Sequence, residues 1–498
     1  MLHLHTREVC WDTFLMDKSE GVQLDMKRPV RKNVCFTCDA IWEGSTCGYA
    51  SFVQMPDGTI RMYYRASDVR IVEAATGVKV VKDGPDFTGV TNAARVSVCL
   101  AESKDGKTFT RVPVNKHPFA ESCENNIVFR DEAKAIDNFS VFYDENPACP
   151  ADEKFKALRY SEGKEENFLA YYKSADGIDF TFERILPING KFDTYNVTFW
   201  DKATEQYYLY SRDYHKPDGR TTPRCQVNLV TDIRDIRLST SKDFITWEQH
   251  GPLIYPEGTE DLGLYVNNVH RYYRSDSMFW GMPTRYFDRR EDKENFKHLT
   301  LPGFERYECL EKLGREASVV NDAVLMISRD GLHFERSNEA FLTAGPENGS
   351  NWIYGDAFAN YGLVETAPDF EGEANEMSIY AGSGYRTRSL DIVRYTLRLD
   401  GFYSWRADDK GGEVLTKPFT FEGDSLSVNF ETSARGHLRI ILCDEEGNAL
   451  PDFDSGLVFG NSVARSIAFK GELASLHGRP VRMKILMRDC DLYSFLFT

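Results

Sequence analysis

The sequence lacks the features that define several large classes of protein. No apolar run approaches the roughly 20 residues needed to cross a bilayer. Basic residues are too few to balance the acidic ones, 60 against 77, and the resulting net charge of −17 disfavours nucleic acid and anionic membranes as partners. The chain contains no Gly-x-x-x-x-Gly-Lys-Ser/Thr phosphate loop, no His-Glu-x-x-His and no Gly-x-Ser-x-Gly. We therefore expect neither a nucleic-acid nor a membrane partner.

Cysteine is present without any ordered spacing. Eleven cysteines, an odd number, are scattered along the chain, which fits a reducing compartment. Cys35-x-x-Cys38 is the one close pair and has no second pair at zinc spacing, so neither a metal nor a cofactor is predicted. Because Met1–Arg7 shows no apolar signal region, we expect a cytoplasmic protein. Secretion after removal of an unseen signal stays open as the alternative.

A seven-residue motif recurs along the chain and predicts the fold. Each copy resembles a strand end followed by an Asp-Gly turn and an aromatic residue that starts the next strand. Successive copies begin 71, 67, 87 and 70 residues apart, which is typical of radial repeats. We predict an all-β protein with a five-bladed β-propeller. The copies are Ser103–Phe109, Ser174–Phe180, Ser241–Trp247, Ser328–Phe334 and the degenerate Arg398–Trp405.

The length of 498 residues is too great for one ordinary core, so we expect two domains. Residues 1–406 are predicted to form the propeller, with 1–40 as a lead-in and 287–318 as a charged, helical insertion. A linker-like stretch at Ala407–Gly412 introduces alternating apolar runs such as Val481–Met487. Alternation buries one face of a strand, so residues 407–498 are predicted to form an antiparallel β-sandwich.

Acidic residues lie just before, or at the start of, every predicted inner strand. Carboxylates gathered in one funnel repel each other, which separates their pKa values and can yield an acid and a base or nucleophile. Glycosidic cleavage requires such a pair. A single acid at a strand start is more often a turn former, so the prediction depends on the five acting together. The acids are Glu43, Asp137, Asp193, the pair Glu260 and Asp261, and Asp356.

The repeat count, the C-terminal run of strands and these acids together resemble the five-bladed propeller glycoside hydrolases. That group includes invertase- and levanase-like β-fructosidases and arabinanase-like enzymes. The resemblance implies a nucleophile in blade one, a transition-state-stabilising Asp in blade two and an acid/base Glu in blade three. Glu43, in Trp42-Glu-Gly-Ser-Thr-Cys-Gly48, lies where the family has Trp-Met-Asn-Asp-Pro-Asn-Gly.

The chain also departs from that family, because it has no Asn-Asp-Pro-Asn and no Arg-Asp-Pro. Phe192–Trp200 resembles the Arg-Asp-Pro strand in form but falls in blade three, so the β-fructosidase substrate does not carry over. Among the candidate catalytic residues we rank Asp193 first and Glu43 second, as base or nucleophile. Glu260 or Asp261 is expected to be the acid, and Asp137 is held in reserve for the blade-two role.

Arginine, asparagine and aromatic residues near these acids are candidate substrate contacts. Guanidinium donors suit sugar hydroxyls, and aromatic rings stack on the apolar face of a sugar. Each has an ordinary alternative, such as a core histidine for His270 or a structural ion pair within Arg234–Arg237. The candidates are Arg65, Asn138, Asn196, Arg212, Asp213, Arg237, His270, Arg285, Trp352, Tyr354 and Asp356.

Three functions remain open from the sequence. The first is a glycoside hydrolase acting on a carbohydrate, with a furanoside such as a fructoside or arabinoside preferred. The second is a glycoside phosphorylase, in which Arg65, Arg212, Arg237 and Arg285 would hold phosphate. The third is a carbohydrate-binding propeller without catalysis. A homo-oligomer is possible in each case.

Overall fold

The computed structural model describes most of the chain. The described residues are 2–67, 69–74, 77–82, 96–131, 138–162, 167–222, 227–228, 231–299, 310, 314–387 and 389–498. Strands dominate, and the helical segments whose bounds lie within the described residues are short: Ala151–Glu153, Arg290–Lys297, Arg315–Ser318 and Leu473–Leu476. No helix among the described residues has the length and apolar character needed to cross a membrane.

Five strands precede the first blade, and they are divided between the propeller and the sheets formed by the last part of the chain. They are β1 (Leu2–Leu4), β2 (Glu8–Val9), β3 (Met16–Glu20), β4 (Val22–Met26) and β5 (Val30–Thr37). Strand β5 belongs to the propeller, whereas β2, β3 and β4 pair with strands from the end of the chain.

The five-bladed propeller predicted from the Asp-Gly repeat is confirmed. Blade one contains β6 (Gly48–Gln54), β7 (Ile60–Ala66), β10 (Ser97–Ser103), β11 (Thr110–Arg111) and β12 (Ile127–Arg130). Between β7 and β10 in sequence, β8 (Val69–Ala74) and β9 (Gly77–Lys82) form a separate hairpin. Blade two contains β13 (Phe139–Tyr143), β14 (Phe155–Glu162), β15 (Asn167–Ser174) and β16 (Thr181–Ile185). Blade three contains β17 (Val197–Asp201), β18 (Gln206–His215), β19 (Ile233–Ser241) and β20 (Glu248–Pro252).

The last two blades differ from this plan. Blade four contains β21 (His270–Arg271), β22 (Phe279–Gly281), β23 (Thr284–Asp288), β24 (Val319–Ser328) and β25 (Glu335–Leu342). Blade five contains β26 (Val364–Thr366), β27 (Glu376–Ser383) and β28 (Asp391–Arg398), and its fourth strand is β5. The antiparallel pairing of β5 with β28 runs from Thr37 opposite Asp391 to Val30 opposite Thr396. An N-terminal strand therefore closes the ring.

An additional curled sheet follows the propeller. From this part of the chain it contains β29 (Tyr403–Ala407), β30 (Gly412–Thr416), β32 (Leu426–Cys443), β33 (Ala449–Asp454), β34 (Asn461–Ile467) and β35 (Arg482–Phe497). Strand β31 (Phe419–Phe421) instead pairs with β1 in a separate two-stranded sheet. Strands β3 and β4 flank β30 and β29 in the order β3-β30-β35-β29-β4. The pairings thus place residues 8–26 in this sheet, although the sequence had assigned them to the propeller. The exact division at residue 406 and the sandwich itself stay predictions.

The Asp-Gly turns pack blades against one another. In the first turn Ser103 Oγ accepts a hydrogen bond from Gly106 N at 2.9 Å, and Asp105 Oδ1 accepts one from Lys107 N at 2.8 Å. Equivalent bonds form in the turns at Ser174, Ser241 and Ser328. In blade four, Gly331 O accepts a hydrogen bond from Tyr210 Oη of blade three at 2.8 Å. The repeated motif therefore serves both as a turn and as an inter-blade contact.

Replacing a turn glycine should show how much the turn geometry and the inter-blade contact each contribute to the free energy of unfolding. Gly331 has φ +81°, and a Cβ there would lie 2.8 Å from Tyr210 Oη. Gly58 has a similar φ of +83° with no atom within 4 Å, so it is a matched control. We expect Gly58→Ala to lower the free energy of unfolding by about 1–2 kcal/mol. Gly331→Ala should cost about 2 kcal/mol more, since it also overpacks the blade contact. Urea denaturation measures both, and equal losses would contradict the packing role.

Candidate functional site

The inner strands begin at one end of the propeller axis, which we call the upper mouth, and end at the lower mouth. Buried asparagines, rather than the expected ring of acids, occupy the starts of the inner strands in blades two to five. Each contributes a neutral amide to the centre of the ring. They are Asn138, Asn196, Asn267, Asn268 and Asn360.

These asparagines connect the inner strands to neighbouring backbone. Asn360 Oδ1 accepts a hydrogen bond from Ala50 N of blade one at 3.1 Å. Asn267 Nδ2 donates to Tyr210 O of blade three at 3.1 Å. Asn196 Oδ1 accepts from Arg212 N at 3.0 Å, and its Nδ2 donates to Thr194 O at 2.8 Å. Asn196 is therefore a structural residue, whereas Asn138 is fully buried and its amide atoms have no partner among the described residues.

Asp193, the candidate ranked first from the sequence, lies at the upper mouth beside the end of β18. Arg212 Nη1 lies 3.4 Å from Asp193 Oδ1, and Tyr214 Oη donates to Asp193 Oδ2 at 3.1 Å. The Asp193 side chain is 28% exposed, whereas that of Arg212 is 1% exposed. Its carboxylate is thus oriented from one side by a buried cation and a phenol while it remains open to the mouth.

Strand alternation gives the β18–β19 hairpin two different faces. Tyr214 lies opposite Arg234 and Asp213 lies opposite Asp235, so consecutive pairs point to opposite faces. Arg212, Tyr214 and Arg234 therefore share one face. The other face carries Asp213, His215, Asp235 and Arg237.

The second face forms a charged network that includes the candidate acid Asp261. Arg237 Nε lies 3.2 Å from Asp213 Oδ2 and 3.3 Å from Asp235 Oδ1. His215 lies between two carboxylates, with Nδ1 3.1 Å from Asp235 and Nε2 2.8 Å from Asp261. The hydrogen bonds with Asp235 and Asp261 raise the pKa of His215 to about 9. Asp193 and Asp261 therefore both contact groups at the end of β18.

Aromatic rings line the same mouth. Tyr49, Tyr265 and Tyr286 are partly exposed, and Tyr265 stacks on Phe358 and on Tyr286 at centroid distances of 5.5 and 5.9 Å. Tyr354, a predicted contact, is buried behind them and donates a hydrogen bond to Tyr265 Oη at 2.8 Å. Such rings can stack on the apolar face of a sugar.

Arg65, another predicted contact, reaches this aromatic surface. Its guanidinium lies 4.6 Å from the centroid of the Tyr49 ring. Nη2 donates to Thr46 O at 3.0 Å and to Tyr385 Oη at 3.1 Å. Arg65 therefore joins blade one to the segment after β27 and is partly exposed at the mouth.

Glu43 does not fit the predicted role of base or nucleophile. Its side chain is 0% exposed, and Arg111 binds it through Nε at 2.9 Å and Nη2 at 2.6 Å. Tyr64 Oη donates to the same carboxylate at 2.5 Å, and Ala40 N does so at 3.0 Å. A carboxylate that is saturated with donors and closed to solvent is a structural ion-pair partner.

Three other predicted residues also have structural roles, whereas the side chain of Glu260 does not. Asp356 is buried and accepts hydrogen bonds from Gly384 N and Tyr385 N at 3.0 and 3.1 Å. Arg285 forms a bidentate pair with Asp322 at 2.8 and 2.5 Å. Trp352 Nε1 donates to Gly345 O at 2.7 Å. Glu260 is exposed, and only its carbonyl oxygen is bound, by Arg336. Asp137 lies outside the described residues.

The sequence suggests that His270 lies beside Glu260 and Asp261. In the structure it lies instead towards the lower mouth. Its ring stacks on Phe199 at 3.9 Å, and its Nδ1 lies 2.7 Å from Arg271 O. Burial lowers the pKa of His270. It lines a cavity of about 420 Å³ at the ends of the inner strands, together with Trp200 and Tyr273. The core-histidine interpretation fits this geometry better.

Arg234, Tyr265, Tyr286 and Tyr385 were not among the site residues predicted from the sequence, which placed Arg234 in a structural ion pair. Tyr286 was visible in the stretch Pro283–Tyr286, but nothing local distinguishes Tyr265 from other strand aromatics. The described residues contain no group of three or more His, Cys, Asp or Glu side chains arranged to hold a metal ion.

Removing the charge of Glu43 should affect stability and leave catalysis intact. Glu43→Gln keeps the shape of the side chain but leaves Arg111 without its buried counter-charge. We expect a loss near the lower end of the roughly 3–5 kcal/mol typical of broken buried pairs, since Arg111 is 30% exposed. Denaturant unfolding measures this loss, and any turnover per folded molecule should stay within about twofold. A large drop in turnover with unchanged stability would restore Glu43 as a catalytic candidate.

His215 should make stability depend on pH. Its pKa is raised from 6.5 to about 9, so the charged imidazole favours the folded state. This stabilisation is full below about pH 6.5 and is lost as the pH rises through about 9. The stability difference between the wild type and His215→Gln should reach about 2–3 kcal/mol at pH 6 and nearly vanish at pH 9.5. Denaturation at both pH values tests this, and a pH-independent difference would refute the charged state.

Comparisons with known proteins give only distant similarity. No protein-family model and no curated protein matches the chain. Among solved structures, a glycoside hydrolase is 10% identical, with a TM-score of 0.43, over 74% of this chain and 92% of that one. The Bombyx mori GH32 beta-fructofuranosidase is 9% identical, with a TM-score of 0.38, over 94% of each chain. The beta-1,2-mannobiose phosphorylase of Listeria innocua is 12% identical in sequence, with a TM-score of 0.40, and the match covers 75% of this chain and 97% of the phosphorylase.

Proposed function

We propose that this protein is a glycoside hydrolase whose active site lies at the upper mouth. The observation that carries the proposal is the Asp193 carboxylate, which is open to the mouth and held by Arg212 and Tyr214. A carboxylate oriented in advance can stabilise the positive charge that develops on a sugar ring during cleavage. Burial raises the pKa of Tyr214, which keeps the phenol protonated as the donor to Asp193.

A second carboxylate would supply the proton for the leaving group. Asp261 is the better of the two predicted acids because its side chain is 52% exposed and is bonded to His215. Glu260 has no side-chain contact of this kind among the described residues. We assign Asp261 and the charged imidazole of His215 bonded to it as the pair that releases this proton.

A carbohydrate is the substrate class that suits this surface. Tyr49, Tyr265 and Tyr286 provide partly exposed rings for stacking, and Arg65 provides guanidinium donors for hydroxyl groups. A furanoside such as a fructoside or arabinoside remains the preferred substrate.

The two alternatives predict different activities. For a phosphorylase, three of the four arginines nominated from the sequence are already paired with carboxylates: Arg212, Arg237 and Arg285. This weakens the original phosphate assignment. A sugar-binding propeller would show no turnover. An assay with aryl glycosides and oligofructosides, with and without phosphate, separates the three functions.

Asp193→Asn tests the catalytic assignment. The change is nearly isosteric, so weak sugar binding should persist, while turnover should fall by about 10²–10³ because a preorganised charge is lost. A modest decrease in Tm is also expected, since Arg212 loses its carboxylate partner. Both quantities are measured on one purified variant.

Asp322→Asn is the matched control for the lost ion pair. Asp322 pairs with Arg285 and its side chain is 22% exposed, close to the 28% of Asp193. We expect a comparable decrease in Tm with turnover retained. If Asp193→Asn lowers only Tm, as the control does, Asp193 is structural and the proposed site is wrong.

A further inference from the structure

Arg234 is a buried cation for which the described residues supply no counter-ion. Its side chain begins near the start of β19, and the residue is only 5% exposed. Among the described residues no carboxylate pairs with the guanidinium, and its Nε has no hydrogen-bond partner. A buried charge is ordinarily paired, because removing an isolated charge from water is costly. An unpaired buried guanidinium therefore needs an explanation.

Three tyrosine rings surround this guanidinium. Its Cζ atom lies 4.3 Å from the centroid of Tyr286 and 5.6 Å from the centroids of Tyr214 and Tyr265. Cation–π contacts offset part of the cost of burial, but ring faces accept none of the five N–H hydrogen bonds that a guanidinium donates. The cage holds the cation in place, and its Nε has no acceptor among the described residues.

The neighbouring arginines show that this arrangement is specific to Arg234. Arg212 shares its hairpin face and is paired with Asp193. Arg237, three residues along the same strand, is paired with Asp213 and Asp235. Strand alternation sends Asp235 to the opposite face, so the carboxylate adjacent in sequence does not neutralise Arg234.

Tyr265 supplies a second polar group in the cage, and its hydroxyl proton has no acceptor among the described residues. Tyr265 Oη accepts a hydrogen bond from Tyr354 Oη at 2.8 Å, which leaves the Tyr265 proton available to another acceptor. Tyr265 and Tyr286 are also the partly exposed rings at the upper mouth. The donors of Arg234 and Tyr265 thus lie next to the proposed carbohydrate site.

We propose that Arg234 and Tyr265 form an oxyanion-binding subsite of the upper mouth. A guanidinium fork suits the planar carboxylate of an acidic sugar and also a phosphate group. The inference deepens the proposed function, because it assigns an anionic group to a ligand of the same site. The anion is either a carboxylate on the sugar or free inorganic phosphate.

Direct binding to the full-length protein tests this subsite. Isothermal titration with inorganic phosphate, D-glucuronate and neutral D-glucose compares the wild type with Arg234→Gln. We expect at least one anion to bind, and Arg234→Gln to weaken it about tenfold or more, as for a lost charge-assisted hydrogen bond. Phosphate alone identifies a free phosphate site, glucuronate alone identifies an acidic sugar, and binding of both supports the shared chemistry. If neither anion binds, or if Arg234→Gln binds them equally well, the subsite is refuted.

Arg285→Gln is the matched control, since it removes an arginine that is already paired with Asp322. Its anion affinity should stay within about twofold of the wild type. Thermal unfolding adds a second measurement: Arg234→Gln should unfold at an equal or higher Tm, because an unpaired buried charge is removed. A clear decrease in Tm without loss of anion affinity would show that Arg234 only supports the rings.

Two further variants keep the test decisive. If Arg234→Gln fails to fold, Arg234→Lys keeps the charge, and its loss of the planar fork should weaken anion binding about threefold or more. Equal affinity in that variant refutes the subsite. Asp193→Asn should still bind the anion, because the subsite does not include Asp193. If the wild type binds the anion but shows no turnover, the proposed hydrolase function is overturned and the subsite stands.

Discussion

The pairing of β5 with β28 is the constraint on which the rest of the structure depends. A propeller ring is complete only when its last blade has four strands, and blade five takes its fourth strand from residues 30–37. The backbone hydrogen bonds of this pairing join segments more than 350 residues apart in sequence. Because the inner strands converge on one axis, the upper mouth has a defined shape only after this closure. Strands β5 and β28 therefore control the geometry of a site to which neither contributes any of the residues named above.

The curled sheet reinforces this closure at a single buried carboxylate. Asp400 comes from the degenerate fifth Asp-Gly copy, yet it is 0% exposed and binds groups from both parts of the fold. Arg274 and Tyr272 of blade four contact it at 2.8 and 2.7 Å, and Ser494 of β35 donates to it at 2.6 Å. Burial opposes its charge, but Arg274 and Arg7 outweigh burial and lower the pKa of Asp400. A repeat position has thus become the junction between propeller and sheet.

The sequence predicted those parts of the structure that depend on residues close together in the chain. The Asp-Gly turns were found because a turn needs only a Ser, an Asp and a residue at positive φ within a few positions. Asp193 was nominated on similar grounds, as an acid beside an inner hairpin, and its role stays a prediction. Long-range pairing was not predictable in this way. The closure by β5 and the burial of Glu43 by Arg111, 68 residues away, depend on partners that no short motif specifies.

Arg234 illustrates a different limit of sequence analysis. In the sequence, Asp235 and Arg237 lie close to Arg234, which suggests that the three charges neutralise one another. Asp235 and Arg237 do form an ion pair. The alternation of the strand, however, places Arg234 among tyrosine rings, with no carboxylate partner in the described part of the chain. The whole chain carries a net charge of −17, so its long-range field repels anions. At physiological ionic strength that field is screened beyond about 8 Å, whereas a buried cation acts at contact distance. An acidic protein can therefore hold an anion at this point without attracting polyanions to its surface.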